Sequence, residues 1–404
     1  MSMMGVGGAP VAGLGGFTIE ERDRRWQVVR TLMDAQGIDL LLLFPQFVPG
    51  DAVWIANQPG AVIFPRDGEP QILLGGEDSA IERERPPGWI ADRRFVGLAN
   101  GVHWGDAVAR QLQDMDLDRQ TIGIAGMAGD NYILMHNPEG YLNYTTIKTV
   151  IDSLPSSCAV VNGTPIMSRA RYVKSDEEIA VLEESVRHCE IVADVIQDQF
   201  REGRPQAEAF INAMTCLTDH GKLANFGWCP GKWGEPRPRL VGPPPGIIEA
   251  DLYLSVEIVV PSGNYAAQIA QAYVVGEPNE EAQRLLHVNE LAFAAARKAM
   301  QPGATWNDVI DATNRAAEGT GCWVQMIMHG MGSGPLITPF NSHEAVKDDL
   351  LVESSTFILK PCAVPDGKEW FARSMDVSWG DMVVVRPGGA QRLGSRPFSL
   401  LQTA

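Results

Sequence analysis

Apolar and polar residues alternate along the first half of the chain in short, clearly punctuated segments. Thr18-Ile19-Glu20-Glu21 has the spacing of a capping box and Gly37 follows Gln36 as a stop, which predicts a first helix between them. The apolar run Ile38 to Phe44 then predicts a buried strand. Gly60 to Phe64 and Gln71 to Leu74 flank a turn from Pro65 to Pro70 that is rich in Asp and Gly, the pattern of a hairpin. Thr121 to Ala125 and Ala159 to Val161 predict further strands, with a helix from Trp104 to Met115 ahead of them. Helices mixed with hairpin and crossover strands predict an α/β domain built on a mixed sheet. No glycine-rich motif able to cradle a phosphate follows any of these strands.

In the second half, Ser175-Asp176-Glu177-Glu178 is another capping box, and Ile179, Leu182, Val186, Cys189, Ala193 and Ile196 recur at alternating spacings of three and four. This predicts a long amphipathic helix. Two more helices are expected, from Asn279 to Met300 (before Gln301-Pro302-Gly303) and from Trp306 to Glu318. The stretch Lys232 to Pro245, dense in Pro and Gly, reads as a loop, and His329 reads as part of a His-Gly-Met-Gly turn. Strands at Leu252–Val260, Ala266–Val275, Ser355–Leu359 and Met382–Val385 give a second domain of helices on an antiparallel sheet. The expected division is a loose tail over 1–16, a small mixed α/β domain over 17–165 and a larger domain over 166–404. The tail has no Lys or Arg, so it lacks the positive start of a secretory signal.

Composition narrows the functional classes. A chain of 404 residues is long enough for two domains with cores of their own, and 45% hydrophobic with 21% charged residues is the balance of a globular protein. The formal net charge of −17 argues against a nucleic-acid partner, because phosphate binding needs a basic surface. No window of about 18 uninterrupted apolar residues occurs, so no membrane span is expected. The six cysteines show no CxxC pair, which reads as free thiols in a reducing compartment and so a cytoplasmic location. A small-molecule substrate is the partner expected of such a chain, with no cofactor.

Several short motifs occur in a telling order. Arg171-Tyr172-Val173-Lys174-Ser175-Asp176-Glu177-Glu178-Ile179, the Glu257/Gln268 strand pair, Val274-Val275-Gly276, Gln301-Pro302-Gly303, His329-Gly330-Met331-Gly332 and Leu359-Lys360-Pro361 span the C-terminal half. Together they resemble the creatinase, prolidase and aminopeptidase P superfamily. Gly37-Ile38-Asp39 and the turn Asp67-Gly68-Glu69-Pro70 are similar to its smaller N-terminal domain. The resemblance implies an α/β two-domain protein: a small mixed α/β creatinase-like domain, then a pita-bread α+β domain with a curved antiparallel sheet. It also implies a homodimer in which the small domain of one subunit helps close the site of the other.

The resemblance further implies a set of site positions. In the metallopeptidases of the superfamily the metal ligands are Asp, Asp, His, Glu and Glu, and these correspond here to Glu257, Gln268, His329, Lys360 and Gly380. A hard dinuclear site wants several anionic oxygens. These positions offer one carboxylate, one amide, one imidazole, one ammonium and one missing side chain, so no metal is expected. A substrate-contacting histidine of the family corresponds to His343, and another family histidine falls in the region Arg237-Pro238-Arg239-Leu240. Creatinase keeps this fold without a metal and hydrolyses a small guanidino compound.

The surviving groups suggest chemistry of their own. Lys360 places fixed positive charge where an oxyanion would develop. Glu257, His329 or His343 can accept a proton. Arg237, Arg239 and Arg373 can bind a substrate carboxylate in bidentate fashion, Gln268 can orient water, and Trp233 can line the pocket. The expectation is a metal-independent, creatinase-like C–N hydrolase or a lyase acting on a small, polar, anionic molecule. Two alternatives stand beside it: a catalytically silent protein that binds a ligand or peptide, and a mononuclear metallohydrolase with the shifted ligands Glu257, His329, His343 and Asp381. The plainest reading of Glu257 and Lys360 is a buried ion pair that does no chemistry, since a buried charge needs a partner.

Overall fold

In the computed structural model of the chain the described residues are 16–45, 50–76, 88–97, 102–128, 142–235, 237–263, 265–330, 348–369 and 377–403. They fall into two compact units, one ending at Tyr172 and the other beginning at Val173.

The first unit runs through α1 (Ile19–Gln36), β1 (Leu40–Leu43), α2 (Asp51–Ala56), β2 (Ala61–Pro65), β3 (Gln71–Leu74), β4 (Asp92–Phe95), α3 (Trp104–Leu112), β5 (Thr121–Ile124), α4 (Tyr144–Ser153), β6 (Ala159–Asn162) and α5 (Thr164–Ala170). Its strands form one mixed sheet in the order β4-β3-β2-β1-β5-β6, antiparallel within β3-β2-β1 and parallel at the other pairings. Every residue of β1 is buried, because a central strand covered on both faces needs apolar side chains at consecutive positions. The first capping box closes in one direction only. Thr18 accepts from the Glu21 amide at 3.2 Å, but the Glu21 carboxylate is taken by Arg24 at 2.7 Å and Arg25 at 2.6 Å.

The second unit contains α6 (Asp176–Gln199), α7 (Gln206–Thr215), β7 (Asn225–Lys232), β8 (Leu252–Ser262), β9 (Tyr265–Val275), α8 (Glu280–Ala299), α9 (Trp306–Ala317), β10 (Cys322–Gly330), β11 (Thr356–Pro365), β12 (Asp381–Val384), β13 (Gln391–Arg392) and β14 (Leu401–Thr403). Here the box at Ser175 closes both ways, at 3.1 Å and 2.9 Å, and starts α6. The strands form two sheets, β14-β9-β8-β7 and β10-β11-β12-β13, antiparallel except where β14 joins β9. A single bridge between Ala270 and Gly380, with both N–H···O distances at 3.0 Å, joins β9 to the start of β12. Helix α6 covers one face of the first sheet, where Tyr265 donates to Glu178 at 2.5 Å and Tyr273 to the Ala193 carbonyl at 2.9 Å. This is the pita-bread arrangement with its helices outside the sheets.

Two strands depart from the expectation. The segment read as a loop from Lys232 begins as the end of β7, which contains Gly227, Pro230 and Gly231. That strand is the outermost of its sheet, where proline is tolerated, so its composition hides it. His329 lies near the end of β10 rather than in a turn, and β11 continues through Pro361 to Pro365. No helix among the described residues is long and apolar enough to cross a membrane.

Candidate functional site

Four of the expected site residues meet across the seam between the two sheets. On β8 and β9, Glu257 lies opposite Ala270 and Gln268 opposite Val259, so the two polar side chains are diagonal neighbours on one face. On β10 and β11, Lys360 lies opposite Ile327 and His329 opposite Ile358, which makes His329 and Lys360 diagonal neighbours as well. The Ala270–Gly380 bridge brings these two pairs together. The Lys360 ammonium donates to Glu257 Oε1 and, at 3.1 Å, to Gln268 Oε1, and lies 3.4 Å from His329 Nε2. All four residues are buried. Arg239 reaches the other oxygen, with Nη2 at 2.5 Å from Glu257 Oε2 and a side chain 62% exposed.

The protonation pattern follows from these contacts. An ammonium has three donors and no acceptor, and the three neighbours of Lys360 match that number. Where the ammonium donates to His329 Nε2, that nitrogen acts as the acceptor, and Nδ1 lies 3.3 Å from the Gly330 carbonyl oxygen. Burial alone would push the Glu257 carboxyl up. The charges of Lys360 and Arg239 and the hydrogen bond from Lys360 overcome it and hold the group down at about 2. A carboxylate held that low is a poor proton acceptor at neutral pH, which shifts the expected role of base from Glu257 toward the imidazole.

Gly380 has a steric part in the same cluster. A Cβ at this position would collide with Cγ of Lys360 and lie 2.6 Å from the Leu359 carbonyl oxygen. The lysine stem therefore fills the space that a fifth side chain would enter. The donor set does not fit a pair of divalent ions: its one carboxylate already faces two cations, and an ammonium stands among the remaining donors. Among the described residues no three His, Cys, Asp or Glu side chains are grouped so as to hold a metal ion. The shifted mononuclear set loses Asp381, which pairs with Leu359 and so points to the opposite face from Lys360. There it accepts from Arg392 at 2.6 Å and from the Met382 amide at 2.8 Å.

The remaining candidates separate. The Arg237 guanidinium lies 5.4 Å from the centre of the Tyr253 ring, with its three nitrogens buried. Trp233 donates to Glu281 at 2.9 Å and packs on Tyr253 at 5.1 Å, contacts that belong to the core under α8 rather than to the Lys360 cluster. His343 and Arg373 lie outside the described residues. A feature the sequence reading missed is Gly227, which pairs with Glu257 on β7 and lies beneath Arg239. The alternation Gly227, Cys229, Gly231 was the available signal, because alternate residues of a strand share one face. A second lysine cluster was also missed: Lys222 donates to Glu184 at 2.9 Å and Ser262 at 3.1 Å, and lies 3.1 Å from His188 Nδ1.

With the geometry in place, comparisons with known proteins can be weighed. Residues 173–387 match the model of metallopeptidase family M24. An uncharacterized hydrolase/peptidase (y4tL) from Sinorhizobium fredii is 24% identical over 329 residues, 74% of this chain and 76% of that protein. Among solved structures, an Xaa-Pro dipeptidase from Bacillus anthracis superposes with a TM-score of 0.74 at 16% identity, covering 94% of this chain and 99% of that one. The dipeptidase PepE of Mycobacterium ulcerans gives 0.72 at 18% identity, covering 96% and 99%. The prolidase of Pyrococcus horikoshii gives 0.70 at 15% identity, covering 92% and 98%. At these identities the structural likenesses establish the fold.

Proposed function

This chain belongs to metallopeptidase family M24, and from that membership we propose that it is a hydrolase whose metal cage has been replaced by a lysine-centred charge cluster, acting without a metal on a small, polar, anionic molecule. The observation that carries the reading is the Lys360 ammonium, buried among Glu257, Gln268 and His329. In metallopeptidases the metal polarises a carbonyl and activates water. Lys360 supplies the first service as a fixed charge, and His329 supplies part of the second as a neutral imidazole.

The longest of the three lysine contacts, 3.4 Å to His329, is the one a substrate exchanges. A carbonyl oxygen takes the place of Nε2 as the third acceptor and its developing negative charge is stabilised by the ammonium. The freed Nε2 lone pair then accepts a proton from water as the water oxygen bonds to the carbonyl carbon. That proton passes to the leaving nitrogen as the C–N bond breaks, and the imidazole ends neutral. Gln268 holds the ammonium in place throughout. Lys360 and Arg239 against the one carboxylate of Glu257 leave the cluster positive, which favours an anionic substrate.

A second reading, ligand binding without turnover, is favoured by the same contacts, because each donor of Lys360 already has an acceptor within the protein. One experiment separates the two. Chelator-dialysed protein is assayed against a panel of small amide, ureido and guanidino carboxylates, beside His329→Ala and Lys360→Met checked for folding. The hydrolase reading predicts turnover that survives the chelator and falls roughly 100-fold or more in kcat in either variant. Turnover that appears only on adding a divalent ion overturns metal independence. Binding of a panel member without turnover supports the second reading.

A further inference from the structure

On the reading just given, we infer that the outward edge of the Arg239 guanidinium is the anion-binding element of this site and that its ligand is a small monocarboxylate whose reacting carbonyl lies close to the carboxylate. The first ground is that Arg239 is seated. Its backbone is fixed by the neighbouring Leu240, which exchanges hydrogen bonds of 2.8 Å and 2.9 Å with Trp228. Its guanidinium stands over Gly227, where a Cβ would lie 2.8 Å from Nε, 3.1 Å from Nη2 and 3.2 Å from Cζ. Glycine at this position is what lets the planar group lie flat against β7.

The second ground is that only one side of the fork is used. Nη2 is held by Glu257 Oε2, and no other hydrogen bond or ion pair of the guanidinium occurs among the described residues. The side chain is 62% exposed, so the remaining N–H groups face solvent. A planar fork with one edge clasped and another open suits a carboxylate, which is planar and takes two parallel hydrogen bonds.

The third ground is charge and spacing. Glu257 gives one oxygen to Lys360 and the other to Arg239, so a single carboxylate sets the separation between the anion-binding edge and the ammonium that polarises the carbonyl. The three groups together carry one net positive charge, which a monocarboxylate neutralises. Arg237 differs in kind. Its guanidinium is enclosed against Tyr253 and adds to the local potential without facing the ligand.

Binding of N-acetylglycine, its neutral amide N-acetylglycinamide and inorganic phosphate to the chelator-dialysed full chain, measured by calorimetry, tests the assignment. N-acetylglycine is expected to bind, the amide is not, and Arg239→Gln is expected to weaken the acid roughly 10- to 100-fold. Gly227→Ala is expected to give the same loss by displacing the flexible end of Arg239, with a fall in thermal unfolding no larger than that of Arg239→Gln. Equal affinity for acid and amide, or full affinity in Arg239→Gln, overturns the assignment. Phosphate binding as tightly as the acid, with both lost in Arg239→Gln, overturns the carboxylate preference. Turnover on the same samples separates this inference from the hydrolase reading. Chelator-resistant turnover with KM unchanged in Arg239→Gln removes the subsite alone. Arg239-dependent binding of the acid with no turnover of any panel member removes the hydrolase reading alone.

Discussion

The second unit holds two lysine clusters of nearly the same composition, and they differ in one respect that decides what each can do. Lys360 meets a carboxylate, an imidazole and an amide oxygen; Lys222 meets a carboxylate, an imidazole and a hydroxyl. The Lys360–Glu257 side chains are 5% and 8% exposed, whereas those of Lys222 and Glu184 are 15% and 45% exposed. In the first cluster neither charge has water to fall back on, so each depends on the other. In the second, Glu184 keeps solvent and the pair is partly screened. Composition alone therefore does not separate a site from a surface tie; burial and the residues that complete the coordination do.

Replacing each lysine breaks the comparison most strongly. Lys360→Met leaves the buried Glu257 carboxylate with Arg239 as its one remaining cation and is expected to cost about 3–5 kcal/mol in denaturant unfolding, whereas Lys222→Met is expected to cost about 1 kcal/mol or less. Equal losses would mean that burial is not the difference. Adding Glu257→Leu to Lys360→Met should recover much of the first loss, because two apolar groups replace two paired charges.

Acid titration gives the next largest effect. Glu257 is held at about 2 in the folded chain against an ordinary 4.5, so its stabilising effect is complete above 4.5 and is lost as the pH falls from 4.5 toward 2. The size is roughly 3 kcal/mol. Glu184 is also lowered, first by the hydrogen bond from Lys222, and its loss has the same sign. In Lys360→Met the acid-dependent loss between these pH values should be much smaller, and an unchanged profile would detach Glu257 from Lys360.

Gly380→Ala comes third, at about 1–3 kcal/mol of overpacking. Part of that cost should disappear in a Lys360→Ala background, since one of the two close contacts is the lysine stem, while the contact with the Leu359 carbonyl remains. Strict additivity in that double-mutant cycle would show that the two positions do not share space. The smallest effect belongs to His188, whose titration is lowered first by burial and then by the Lys222 charge. Stability is expected to slip slightly as pH falls below the ordinary value of 6.5, and the slip should shrink in Lys222→Met.

Much of the scaffold was legible before the structure. The Ser175 capping box, the apolar period of α6 and the hairpin of β8 and β9 follow local rules, and local rules are written in neighbouring residues. The pairing of Glu257 with Lys360 was one of the readings open from the residues, although the two lie 103 residues apart. Strands β7 and β10 were not legible, because Gly and Pro interrupt one and the methionine-rich run of the other shows no clean alternation. Nor could Arg237 be told from Arg239. They share a motif and a parity, and only what each meets in the fold, Tyr253 or Glu257, tells them apart. The Lys222 cluster draws its members from separated segments with no motif between them, so nothing in the linear sequence marks it.

Calorimetric titration of manganese or zinc into the chelator-dialysed protein, with turnover followed on the same samples, tests most directly whether an ammonium has taken over the role of the ions. The account predicts no stoichiometric binding at the Lys360 cluster and turnover that does not change on addition of either ion. Saturable binding of two ions per chain that is abolished in Glu257→Gln and His329→Ala, and that raises turnover, would contradict it.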